Sequence, residues 1–231
     1  MANTIVSSGI TSDGIILSNE TMSVSNGGVA NNTTVNSGGN LSVSSGGKLK
    51  TATVNSHARL YVYGSGSADD VTVNELGSLY VKKDASATAI RENGGYVEVE
   101  AGAEAAFVSN LITGATLWNG RTMTLHSGTT ATAVALEQDG RFQIYNGGVL
   151  ENTELWRSYQ YVYVSDGGLA SGISMSNGGI TYVYNGGTAS HMTMNQNGVT
   201  SICSGGSVAE ATINSGGWLD VSSGGKLKTA T

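Results

Sequence analysis

Apolar residues in this chain alternate with polar ones in short bursts, and the bursts recur at a nearly fixed interval. The anchor is an apolar-x-apolar triplet, usually followed by two residues and Gly-Gly. It stands at Met22-Ser23-Val24, Leu41-Ser42-Val43, Leu60-Tyr61-Val62, Leu79-Tyr80-Val81, Val97-Glu98-Val99 and Met123-Thr124-Leu125. It continues at Phe142-Gln143-Ile144, Val162-Tyr163-Val164, Thr181-Tyr182-Val183, Thr200-Ser201-Ile202 and Leu219-Asp220-Val221, with a weaker copy at Thr4-Ile5-Val6. The spacings are 18, 19, 19, 19, 18, 26, 19, 20, 19, 19 and 19 residues. Thirteen residues after most triplets begin comes a second apolar position, such as Val35, Val54, Val73, Leu136, Leu155 and Ile213. A small polar residue such as Thr34, Thr53 or Thr72 precedes it, and Asn often follows, as at Asn36, Asn55, Asn74 and Asn214.

Period-two alternation predicts strands with one buried face. Gly-Gly and Asn-Ser-Gly-Gly supply corners that need positive φ. Two strands and two corners in one unit are too little to bury a core alone, but stacked units bury a continuous one. The pattern therefore predicts an all-β chain, a parallel β-helix (β-solenoid) of about twelve rungs of about 19 residues. At about 4.8 Å per rung this makes a rod about 55 Å long. Crossovers between parallel strands favour the right hand. The whole of 1–231 reads as a single domain. The interval from Val97 to Met123 is about seven residues too long, which predicts a loop inserted near 107–113.

Val43–Thr53 and Val221–Thr231 carry the same eleven residues, VSSGGKLKTAT. No polar capping repeat stands at either end, so the expectation is a fragment of a longer protein or a chain whose ends meet another chain. Composition agrees with the solenoid. Proline is absent, as befits strands that donate every N–H to a neighbour. Glycine numbers 34 without the every-third period of collagen. Charged residues are only 12% and the net charge is −6, so no basic surface for nucleic acid stands out. The single cysteine, Cys203, excludes an internal disulfide framework.

The units Val43-Ser44-Ser45-Gly46-Gly47, Thr53-Val54-Asn55 and Val221-Ser222-Ser223-Gly224-Gly225 resemble the AIDA-type strand-loop-strand repeat of bacterial autotransporter adhesin passenger domains. The resemblance covers nearly the whole chain and is weakest over 79–122. It implies a right-handed β-helix, exposed on the outer membrane surface of a bacterial cell or secreted. The functions it implies are cell adhesion, autoaggregation and biofilm formation. It also implies O-glycosylation of serine with heptose by a cytoplasmic glycosyltransferase. The chain as given carries neither a signal peptide nor a translocator barrel.

Candidate chemistry is sparse. Tyr61, Tyr63, Tyr80, Tyr145, Tyr163, Tyr182 and Tyr184 fall on outward positions of the anchor strand and form a candidate contact column. Such stripes stabilise stacked strands and can also meet a sugar ring or a partner surface. Ser44, Ser45, Ser204, Ser222 and Ser223 at the corners are candidate O-glycosylation sites, beside the plain reading that small hydroxylated residues suit turns. Tyr80 and Lys82, Glu98 and Glu100, and Thr124 and His126 are outward on successive rungs. Paired carboxylates there would suit a polysaccharide-active enzyme, and a salt-bridged ladder is the preferred alternative. His57, His126 and His191 stand far apart in sequence, so no shared metal and no cofactor is expected. The favoured reading is a non-enzymatic adhesin segment, a stiff rod. Its partners would be like molecules on neighbouring cells, or a host surface glycan or protein. The rival is a glycosylated stalk whose partner is a heptosyltransferase.

Overall fold

The computed structural model describes residues 3–44, 46–117 and 120–231, and no helix occurs among them. The chain is a parallel β-solenoid of about 12 turns of ~19 residues. It divides into two compact units, Met1–Val108 and Ser109–Thr231. In the first, anchor strands Asn3–Val6, Thr21–Val24, Asn40–Val43, Arg59–Val62, Ser78–Val81 and Tyr96–Val99 make a six-stranded sheet. In the second, Thr122–Leu125, Arg141–Ile144, Tyr161–Val164, Ile180–Val183, Val199–Ile202 and Trp218–Val221 do the same. Pairing is parallel and in register, so equivalent residues of successive turns lie side by side: Leu60 against Leu41 and Leu79, Val62 against Val43 and Val81.

The turn holds three strands rather than the two the pattern predicts. After the anchor strand come a short middle strand and a third strand, for example Asn40–Val43, Lys48–Leu49 and Ala52–Val54. The middle strand is two or three residues long over most turns and buries a single side chain, so it offers no alternation to detect. That buried residue sits eight positions after the triplet begins: Ala30, Leu49, Ala68, Ala131, Leu150 and Ala170. A left-handed residue, such as Asn32 at φ 49° or Asn152 at φ 48°, bends the middle strand into the third.

Each turn sends inward the two apolar residues of the triplet, the middle-strand residue and two from the third strand. Leu41, Val43, Leu49, Ala52 and Val54 are all at most 2% exposed. Burying apolar area at about 25 cal/mol per Å² supplies the drive to stack. Where Thr181 and Thr200 replace the apolar anchor, their buried hydroxyls donate to Met175 Sδ and Met194 Sδ at 3.2 and 3.1 Å.

The two corner glycines act differently. Gly38 has φ 71°, and the Gly39 N–H closes the turn on Asn36 O at 2.8 Å, as a type II turn requires. Gly39 has ordinary φ, but a Cβ there would stand 2.7 Å from Leu17 O of the preceding turn. The first glycine supplies backbone conformation and the second supplies close approach between turns.

The stretch expected to be a loop contains strands. Glu104–Phe107 pairs with Ser86–Asn93 in the first unit, and Asn110–Thr113 pairs with Thr129–Thr132 in the second. The extra length therefore holds the passage from one unit to the next at Val108 and Ser109. Its apolar residues Phe107 and Ile112 face their own units' cores.

The asparagines after the third strand form a hydrogen-bonded ladder. Nδ2 of Asn55, Asn74 and Asn93 each donates to Oδ1 of the asparagine one turn earlier, all at 2.8 Å. The second unit repeats the device with Asn214 donating to Asn195 Oδ1 at 2.9 Å. Identical amides stacked in register each use one donor and one acceptor, as in other stacked-strand assemblies.

Candidate functional site

The outward face of each anchor sheet gathers the aromatic residues. Nine of the ten tyrosines lie on an anchor strand or on the residue following it, and Tyr159 is the exception. In the first unit Tyr61 and Tyr80 pair in register and stack, with centroids 4.7 Å apart and planes 10° off parallel. Tyr63 lies 5.7 Å from Tyr61, and Tyr96 tilts by 58° against Tyr80. In the second unit Tyr163 is central, 5.9 Å from Tyr161, 5.6 Å from Tyr182 and 6.3 Å from Tyr184. Tyr145 stacks on His126 at 4.6 Å and donates its hydroxyl to Gln143 Oε1 at 3.1 Å.

Near-parallel rings at this spacing cover much of one another's faces. They leave edges and hydroxyls for solvent or a partner. Desolvation holds the phenols of Tyr63, Tyr163 and Tyr184 above the usual value. The neighbouring phenols add to the shift, while Arg141 opposes it at Tyr163 and Lys82 at Tyr63. The rings therefore stay neutral, and stacked neutral rings attract without charge repulsion.

The carboxylate group is a salt-bridged ladder. Lys82 Nζ reaches Glu98 Oε1 at 2.5 Å and Glu100 Oε1 at 3.3 Å, and the Lys83 N–H donates to Glu100 Oε2 at 2.9 Å. The hydrogen bond to Glu98 leads in raising the Lys82 pKa to about 12. The Lys83 N–H, followed by Lys82, holds the Glu100 carboxyl below its ordinary value. A carboxyl held ionised is a poor general acid near neutral pH. Thr124, expected to face outward, is fully buried, and it belongs with His126 to the second unit. Among the other histidines, the exposed His191 pairs with Glu210 at 3.1 Å, and no group of three metal-ligating residues occurs among the described residues.

Of the corner serines, Ser44 is half-buried while Ser204, Ser222 and Ser223 are exposed. Ser45 lies outside the described residues. Cys203 is half-buried one turn above Tyr184 and is a free thiol.

One feature of the second unit has no counterpart in the sequence expectations. Third strands from Glu154–Leu155 through Ser174–Met175 and Met192–Met194 to Ser207–Ile213 pair in succession, and Thr116–Leu117 pairs with Ala135–Leu136. No ladder joins Ala135–Leu136 to Glu154–Leu155. Elsewhere the N–H groups of Ala135 and Glu137 donate to Ala115 O and Leu117 O at 3.0 and 2.8 Å. The matching bonds from Glu154 and Trp156 to Val134 and Leu136 do not form. Gln160, fully buried, replaces one of them: its Nε2 donates to Leu136 O, and its Oε1 accepts the Arg157 N–H at 2.8 Å.

The local sequence explains this seam. Trp156-Arg157-Ser158-Tyr159-Gln160 stands where other turns place a Gly-Gly corner, with one residue added. Tyr159 takes the positive φ, 62°. Gln160 occupies the position where the second glycine normally admits the preceding turn. Trp156 is 45% exposed, with the Arg157 guanidinium 4.1 Å over its ring. Arg157 Nε also meets Glu137 Oε2 at 3.3 Å. A groove of about 290 Å³ opens here, lined by Ala133, Val134, Ala135, Asn152, Glu154 and Trp156. The sequence signal was the 20-residue interval from Phe142 to Val162, together with a tryptophan and a glutamine in a glycine corner.

No protein-family model and no curated protein matches the chain. Among solved structures, the crystal structure of the TibC-catalyzed hyper-glycosylated TibA55-350 fragment is similar, with 29% identity and a TM-score of 0.45. The match covers 99% of this chain and 92% of that one.

Proposed function

We propose that the chain is a segment of a bacterial cell-surface adhesin passenger that acts by contact rather than catalysis. The observation that carries the reading is the segregation of side chains around each turn. Inward positions are mostly small or apolar, with Glu92 and Gln160 as buried exceptions, while nine of the ten tyrosines lie on or directly after the anchor strands of the two units. The resemblance to AIDA-type repeats points the same way. The partners are like molecules on neighbouring cells, or a host surface glycan or protein. Repetition lets weak contacts add, because each successive contact is intramolecular once the first has formed. Beads coated with the chain should clump more than bare beads. A Tyr163→Ser, Tyr182→Ser pair should abolish clumping. No clumping by the unsubstituted chain would refute self-association.

A second reading, a serine-glycosylated stalk modified by a heptosyltransferase, is supported by the exposed corner hydroxyls of Ser204, Ser222 and Ser223. Mass shifts of whole heptose units on peptides containing them would establish it. Catalysis is disfavoured because Lys82 engages both Glu98 and Glu100. A polysaccharide turnover lost in Glu100→Gln would overturn that part.

A further inference from the structure

We propose that the groove at the Trp156 seam is a carbohydrate subsite for one or two neutral pyranose residues. The surface is separate from the tyrosine face, and the inference does not depend on self-association.

A pyranose offers an apolar C–H face and a rim of hydroxyls that both donate and accept. The groove presents the complement of each. Trp156 is its one large aromatic side chain among the described residues. Arg157 lies over the indole at 4.1 Å and restrains the ring, and Trp156, which remains 45% exposed, offers apolar ring surface to the groove.

The polar complement comes from the interrupted ladder. The N–H groups of Glu154 and Trp156 do not donate across the seam, and the Val134 carbonyl does not receive Glu154. Backbone groups left in this state are strong hydrogen-bonding sites. Among the described residues the exposed Glu154 carboxylate has no hydrogen-bond or ion-pair partner, and Asn152 lines the same groove. Hydroxyls can satisfy such a mixture, whereas an aliphatic ligand would strand every one of these groups.

Size and charge narrow the class. A volume of about 290 Å³ lies at the small end for ligand sites. It suits a terminal sugar or a disaccharide. Glu151 and Glu154 belong to the adjoining strands, while the nearby cation Arg157 is already engaged by Glu137 and by the Trp156 ring. Two carboxylates with no cation held between them repel an anionic sugar, so the ligand is neutral.

The site is also built in advance. Ala135 keeps the floor low between the bulkier Thr116 and Glu154 of the neighbouring turns. The Trp156 corner is tied to the following turn by Asn177 Nδ2 donating to Trp156 O at 3.2 Å and Ser158 Oγ donating to Asn177 O at 3.1 Å. A ligand therefore meets a preorganised ring, which lowers the cost of binding.

The test is saturation-transfer NMR on the whole chain. The neutral panel is methyl glucopyranoside, methyl galactopyranoside, methyl mannopyranoside and N-acetylglucosamine; the anionic pair is glucuronic acid and N-acetylneuraminic acid. At least one neutral sugar should bind, and Trp156→Ala should weaken it by at least about tenfold. Ala135→Phe fills the groove from an exposed position, leaves the core intact and should abolish binding. Circular dichroism of each variant confirms the fold. The proposal is overturned if no neutral sugar binds, if both variants bind as the parent does, or if the anionic sugars bind as well as the neutral ones. Bead clumping reads a different face, so its failure would leave this result standing.

Discussion

Asn55 is an interior link of the amide ladder. Its Nδ2 donates to Asn36 Oδ1 and its Oδ1 accepts from Asn74 Nδ2, both at 2.8 Å. Asn55→Ala removes both bonds and strands one donor and one acceptor. A neutral hydrogen bond contributes about 0.5–1.5 kcal/mol net, so the pair contributes about 1–3 kcal/mol. The stranded groups lie near the surface and can recover water, which places the expected loss at about 1.5–2 kcal/mol. Asn93 supplies only one inter-turn bond, to Asn74 Oδ1. Asn93→Ala should therefore cost about half as much. Urea unfolding followed by far-ultraviolet circular dichroism, with unchanged slope, measures both. Repeat arrays also open locally, so hydrogen exchange of the amides in 52–74 should show the same ranking. Equal losses for the two substitutions, or a loss below about 0.5 kcal/mol for Asn55→Ala, would refute the view that the ladder acts as a chain of additive bonds.

The corner glycines should separate cleanly. Gly66→Ala places a Cβ 2.5 Å from Val43 O and should cost well over about 2 kcal/mol, whereas Gly64→Ala meets open space at φ 49° and should cost only about 1 kcal/mol; thermal midpoints decide. The Lys82 cluster should give stability a plateau. Glu100, lowered from 4.5, contributes above that value and loses its contribution as pH falls through its folded pKa; Lys82, raised from 10.5, contributes below that value and loses it as pH rises through about 12. Lys82→Met should therefore differ from the parent mainly between about pH 5 and 10, and a constant difference at all pH values would refute the assignment. Alkaline absorbance titration should find phenols ionising above the usual tyrosine value. Tyr163→Ser should remove one of them and bring Tyr184 closer to normal, since Tyr163 contributes to its shift.

The three-strand turn and the Trp156 seam mark where the sequence was legible and where it was not. The triplets announce the anchor strand because two inward residues flank an outward one, and thirteen positions on, the third strand repeats the signal. The middle strand hides because one alanine, such as Ala30 or Ala68, carries its whole inward face. The stretch near 107–113 reads as a loop in the sequence because its length breaks the period, although Phe107 and Ile112 sit in strands. The tyrosine columns were legible in position but not in ring orientation, which is set by the stack itself. The groove arises from two hydrogen bonds that fail to form, and the 20-residue interval with Trp156 and Gln160 in a glycine corner marks where the ladder breaks but not the shape that results.

Residues 35–53 and 213–231 differ at three of nineteen positions: Val35 and Ile213, Asn40 and Trp218, Ser42 and Asp220. The first exchange keeps an aliphatic residue at the third-strand apolar position. The other two fall on the outward face of the anchor strand, where an amide and a hydroxyl become an indole and a carboxylate. Stacking and surface chemistry thus draw on different letters of the same turn. A lineage can rewrite what this surface meets without renegotiating how the turn stacks, and a designer can graft a new epitope at the same positions.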